Sequence, residues 1–112
     1  MRQPVSFLVA ITTIAVILST ARASIGGWEP IKNLKDEHVE KIAEYAVQTN
    51  NMISNAFPVQ LLKVQKGQIQ YVAGRNYKLI VVAVTPEEGN VVQLYETVVH
   101  ESIFNEKKLG FF

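Results

Sequence analysis

The side chains able to do chemistry are few and scattered. His38 and His100 are the two imidazoles, and there is no cysteine in the 112 residues. A metal site needs several ligands at suitable spacing, and two separate histidines without a thiolate do not supply one. Each reads as an ordinary surface group. Glu40 and Glu44 share a helix face, but like charges at i, i+4 indicate solvation rather than acid–base work. No glycine-rich loop followed by Lys-Ser/Thr is present to cradle a phosphate. The absence of cysteine also removes a thiol nucleophile and a redox pair. The expectation is a protein that is not an enzyme and needs no metal and no cofactor.

Two short segments remain. The turn Gln70-Tyr71-Val72-Ala73-Gly74 carries, in Tyr71 and Val72, larger and more apolar side chains than a solvent-facing turn needs. That points to a contact surface, with a plain hairpin turn as the alternative. Gly26-Gly27 lies just before the first regular element and, taken alone, reads as a flexible tail.

The elements that must position these segments follow from composition and periodicity. Met1 and Arg2 precede an apolar run, Val5 to Leu18, and then Ser19-Thr20-Ala21-Arg22-Ala23. This is the pattern of a secretory signal peptide over 1–23, cleaved after Ala23. A membrane anchor is the rival reading, but the run is shorter than the ~20 residues a spanning helix needs, and Thr12, Thr13 and Ser19 dilute it. The expected product is one secreted domain, 24–112, with no membrane attachment after cleavage. Loss of Arg2 and Arg22 takes the 11 Lys and Arg to 9 against 10 Asp and Glu, a net charge of −1. No strongly basic face is left to attract nucleic acid. No Asn-x-Ser/Thr sequon occurs, and without disulfides the core alone must hold a small domain, which favours helix packed on sheet.

Ser24 to Asn33 reads as irregular, interrupted by Pro30. Asp36 is a plausible N-cap, with Glu37 and Glu40 in the first turns and no proline or glycine until Pro58. Val39, Ile42, Ala43 and Ala46 form an apolar stripe, opposite a Glu37–Lys41 pair, on a helix of about four turns that fades at Asn50-Asn51. Beyond Pro58 the period becomes 2. Val59–Lys66, Tyr77–Thr85 and Val91–Glu101 read as strands, the last two joined through the turn Pro86–Asn90. Lys78 marks the solvent side, so Tyr77, Leu79, Val81 and Ala83 face the helix. The fold class is α+β: one long helix packed across a four- to five-stranded antiparallel sheet.

In this order, Gly26-Gly27, the helix segment Ile42-Ala43-Glu44-Tyr45-Ala46-Val47-Gln48-Thr49-Asn50-Asn51 and Gln70–Gly74 resemble the plant cystatins. The turn matches that family's Gln-x-Val-x-Gly motif at every fixed position. The helix matches the plant-type Leu-Ala-Arg-Phe-Ala-Val-like signature over its first six positions and at Asn51, and departs at Thr49 and Asn50. The resemblance covers 24–112 and implies a reversible inhibitor of papain-like cysteine proteases. The implied mechanism is an N-terminal trunk and hairpin turns that occupy the cleft without offering a bond to cut. Gly27, lacking a Cβ, lets the backbone approach and bend off, and Gly74 permits a turn that holds Val72 at the tip.

The family's second turn carries Pro-Trp. Here the segment is Val98-Val99-His100-Glu101-Ser102-Ile103-Phe104-Asn105, which places Ile103 at the proline and Phe104 at the tryptophan, followed by a one-residue gap; the only tryptophan is Trp28. Phe in place of an indole, on a loop not stiffened by proline, implies weaker or more selective binding. A cystatin-fold binding protein that has lost inhibition is therefore the alternative function. Ile80, Val82 and Val84 share the outer side with Lys78, and Leu94 and Val98 join them, which raises self-association. The resemblance adds a homodimer formed by exchange through the first hairpin. With Phe112 soon after the last strand, it implies no legumain-directed extension. Defence and control of the plant's own proteolysis both stay open as roles.

Overall fold

The computed structural model describes residues 27–112; the signal segment expected at 1–23 and Gly26 lie outside the described residues. Asp36 caps helix α1 (Glu37–Ile53), its carboxylate accepting the His38 amide at 3.2 Å. Glu37 and Glu40 occupy the first turn, where the helix dipole favours negative charge. Val39, Ile42, Ala43 and Ala46 are buried as the stripe requires, and Val47 extends it. The helix does not fade at Asn50-Asn51. It runs to Ile53, and Asn51 serves a different purpose. Its amide nitrogen donates to the Val59 carbonyl at 2.9 Å, and its oxygen accepts the Val59 N–H at 3.0 Å. Two bonds to one residue pin the chain where it enters the sheet.

The sheet is an antiparallel meander in sequential order, β1 (Trp28–Pro30), β2 (Gln60–Val72), β3 (Gly74–Thr85), β4 (Val91–Glu101) and β5 (Lys107–Phe111). The span of β4 is the expected one. β2 runs beyond the expected Val59–Lys66, through Gly67 to Val72, and register shifts between Leu61 and Lys63 and between Val64 and Lys66 interrupt the alternation within the expected span. Tyr77, Leu79, Val81 and Ala83 are buried, together with Thr97, Val99 and Glu101 of β4. Val39, Ile42, Ala43 and Ala46 meet Tyr77, Leu79, Val81 and Val99 in one cluster, and the two alanines leave room for the sheet to approach. Phe112 stacks on Tyr95 with ring centroids 5.2 Å apart, closing the far end. On the outer side Ile80, Val82, Val84 and Val98 are half-buried and Leu94 is exposed.

Gly67 positions the amino-terminal segment. A Cβ there would lie 2.8 Å from Ile31 Cδ1 and 3.2 Å from Leu34 Cδ2, and the Ile31 amide donates to the Gly67 carbonyl at 3.0 Å. The bare backbone is a notch through which the lead-in segment crosses β2. β1 is thereby laid along β2, with Trp28 opposite Gln70 and Pro30 opposite Gln68.

Candidate functional site

The β2–β3 hairpin is tighter than its sequence suggests. Register runs unbroken from Lys66↔Ile80 to Val72↔Gly74, so Ala73 alone forms the apex and Val72 is the last paired residue. Gly74 has φ +95°, the left-handed region that side chains disfavour. A Cβ at Gly74 would also collide with the Glu101 carbonyl oxygen and come within 2.9 Å of Ser102 Cα. The first hairpin therefore rests directly against the start of the β4–β5 loop. Tyr71 and Val72 stay open to solvent at 50% and 43%, an apolar surface on a rigid turn.

Ser102 builds the second loop. Its hydroxyl accepts the amides of Phe104 at 3.1 Å and Glu106 at 3.2 Å. Its own amide donates to the Glu106 carbonyl at 2.8 Å, and its carbonyl accepts the Asn105 amide at 2.9 Å. Asn105 takes φ +65°, which asparagine tolerates better than most residues. The loop lacks a stiffening proline, as read from the sequence, but side-chain and backbone bonds at Ser102 stitch it instead. Ile103 and Phe104 project from it, 72% and 77% exposed.

These two tips and the trunk lie at one end of the sheet. Arg75 pairs with Glu101 across β3 and β4, and Glu101 pairs with Lys107 across β4 and β5, so both loops leave from one level. Trp28 opposite Gln70 brings Gly27 beside the same end. Lys78 Nζ sits 4.6 Å from the Trp28 ring centroid, a cation–π contact that holds the trunk strand on the outer face. Gln70 lies below the tip, its side-chain oxygen accepting from Asn76 Nδ2 at 2.9 Å, and acts as a strut between the hairpin legs. Of the residues singled out from sequence, Gly27, Tyr71, Val72, Ala73, Gly74, Ile103 and Phe104 line this edge, Gln70 supports it, and Gly26 lies outside the described residues.

Both histidines are engaged rather than plain surface groups. His100 Nδ1 is 2.6 Å from Asn76 Oδ1, extending the Gln70–Asn76 strut to β4. His38 Nε2 is 2.9 Å from Glu101 Oε1. Sequence reasoning missed Glu101 and Ser102. The hydroxyl bonds of Ser102 reach only two and four residues on, a serine-turn pattern open to sequence inspection. Glu101 had no such local signal. Among the described residues no group of three or more His, Asp or Glu side chains is placed to hold a metal, and no helix is long and apolar enough to cross a membrane.

Residues 31–112 match the family model SQAPI, described as aspartic acid proteinase inhibitor. Cysteine proteinase inhibitor 1 of Actinidia chinensis var. chinensis is 39% identical over 84 residues, covering 75% of this chain and 69% of the relative. Cysteine proteinase inhibitor 6 of Oryza sativa subsp. japonica is 34% identical over 104 residues, covering 89% and 91%. Among solved structures, Al-CPI aligns with a TM-score of 0.63 at 22% identity, over 77% of this chain and 94% of that one. The salivary cystatin of the soft tick Ornithodoros moubata gives 0.59 at 19% identity with the same coverage.

Proposed function

This chain belongs to the plant cystatin family of proteinase inhibitors, and we propose that it is a reversible, tight-binding inhibitor of papain-like cysteine proteases. The observation that carries the reading is the gathering of Gly27, Val72–Gly74 and Ile103–Phe104 at one end of the sheet. Exposed apolar tips on loops that are already ordered lose little entropy on docking, so modest contacts yield firm association. Val72 and Phe104 enter the cleft as wedges, while the backbone at Gly27 runs alongside the catalytic groups and turns away. In this reading the protein blocks the cleft without offering a bond to cut. Titration of papain with the protein tests this. Val72→Asp, which puts a charge into an apolar contact, should weaken inhibition at least ~100-fold with the melting temperature nearly unchanged, as expected for a hot spot. A wild-type protein without effect on papain at micromolar concentration would overturn the reading.

A second reading, inhibition of aspartic proteinases, has its own support: the matched family model is described as aspartic acid proteinase inhibitor, and Ile103-Phe104 stands where the resemblance implies Pro-Trp. Pepsin titrated beside papain separates the two, and inhibition of neither favours a cystatin-fold binding protein. The proposal includes secretion after loss of residues 1–23 and a part in plant defence; a mature amino terminus at Ser24 tests the secretion. Homodimers formed by exchange through the first hairpin would bury Val72, so only the monomer peak from size-exclusion chromatography should inhibit.

A further inference from the structure

Glu101 is buried at 0% exposure at the last position of β4, on the inward row that continues from Thr97 and Val99. An apolar side chain there would extend the core. Burying an ion usually costs more than its pairing returns, so stability alone does not account for a carboxylate. Its surroundings do. His38 Nε2 from α1 lies 2.9 Å from Oε1, Arg75 from β3 lies 3.3 Å from Oε1, and Lys107 Nζ from β5 lies 4.0 Å from Oε2. Tyr77 of β3 donates to Oε1 at 3.5 Å, and Oε2 has no hydrogen-bond partner among the described residues. Arg75 is the second residue of the strand that leaves the first hairpin, and Lys107 is the first residue of the strand that leaves the second loop. The Glu101 backbone adds a third link, because its carbonyl lies against Gly74.

We infer that Glu101 is a positioning residue for the inhibitory edge, locking the Val72–Gly74 tip and the Ser102–Glu106 loop at one separation so that both enter a protease as a single preformed surface. This deepens the inhibitor reading and rests on it. With the carboxylate gone, only the strand pairing and the Glu101 carbonyl against Gly74 couple the two loops, their relative position loosens, and a complex that needs both wedges seated comes apart faster.

Glu101→Gln keeps the shape and removes the charge. Its dissociation from papain should quicken about tenfold while association changes much less, the usual pattern within one interface. In the free variant, NMR relaxation dispersion should show new exchange at the amides of Val72–Gly74 and Ile103–Asn105. Unchanged dissociation with quiet loops would overturn the proposal even if the melting temperature fell, since that describes a merely structural residue. If Glu101→Gln fails to fold, Arg75→Gln and Lys107→Gln decide, because both side chains are partly exposed. Exchange confined to the first loop in one and to the second in the other supports the brace; quiet loops in both reject it. The relaxation measurement needs no protease. Loops mobilised in a protein that does not inhibit papain would sink the inhibitor reading and leave the brace standing.

Discussion

Gly74 and Tyr77 are separated by two residues and carry opposite burdens. Gly74 combines a φ of +95° with backbone contact to Glu101 and Ser102, neither of which can yield by turning a side chain. Gly74→Ala therefore pays twice, with about 1–3 kcal/mol for the backbone conformation alone. It should lower the melting temperature and displace the tip, and an inhibition assay should show a loss larger than the stability change explains. Tyr77 is buried, and that burial raises its phenol above 10.0; nearby Glu101 adds to the rise and the Arg75 charge opposes it. The folded state then holds the proton more tightly than the unfolded chain. The associated stability is complete below the unfolded value and is lost as pH rises through it toward the folded one. Urea melts at pH values rising from 10.0 should show this decline, and Tyr77→Phe should remove the Tyr77 share of it. A Phe variant with an unchanged alkaline slope would assign the decline to other groups.

At the scale of elements, the helix and the three central strands were legible because their signals are local, whereas β1 lies in a stretch that reads as irregular and β5 was not marked. Asp36 and the 3.6-residue stripe define the start and buried face of α1, and alternation around Lys78 assigns the two faces of β3. What was not legible lies where local signals end. The bulges in β2 interrupt the alternation between Leu61 and Lys66, and the strand continues beyond them through Gly67 to Val72. Asn51 looks like a helix terminator until Val59 is seen within reach of both ends of its amide. The second loop looks slack until the bonds of Ser102 are counted. Ser102→Ala removes the acceptor for two amides and should cost about 1 kcal/mol per lost bond at most, since water reaches the loop. It should also loosen Phe104. A binding loss greater than the drop in denaturation midpoint, in parallel titrations, is the expected result.

For the whole molecule, the edge depends on a notch some distance from it. Ile31, Leu34 and Leu79 fill the space where Gly67 has no side chain, and that crossing sets the trunk in register with the hairpin. The atoms nearest an added Cβ are ends of flexible side chains, so Gly67→Ala should be tolerated with small adjustments. Gly67→Val should not, at about 1–3 kcal/mol for overpacking. Its inhibition loss should match that of a chain truncated before Trp28 and leave the contribution of Val72 intact. A binding assay of the double variant with Val72→Asp, showing additive losses, checks that trunk and hairpin act as separate contacts.

The amino-acid sequence alone determined the helix, the three central strands and the faces that α1 and β3 bury, because periodicity and caps act over a few residues. The family resemblance it carries marked the Gln70–Gly74 motif and the departure at Ile103-Phe104. Only the tertiary structure decided that Ala73 is the apex, that Gln70 is a strut, and that His38 and Arg75 meet a carboxylate at Glu101. His38 and Glu101 are 63 positions apart in the chain. Their meeting depends on the summed register of β3 and β4 and on how α1 lies across them, and no local pattern encodes that sum.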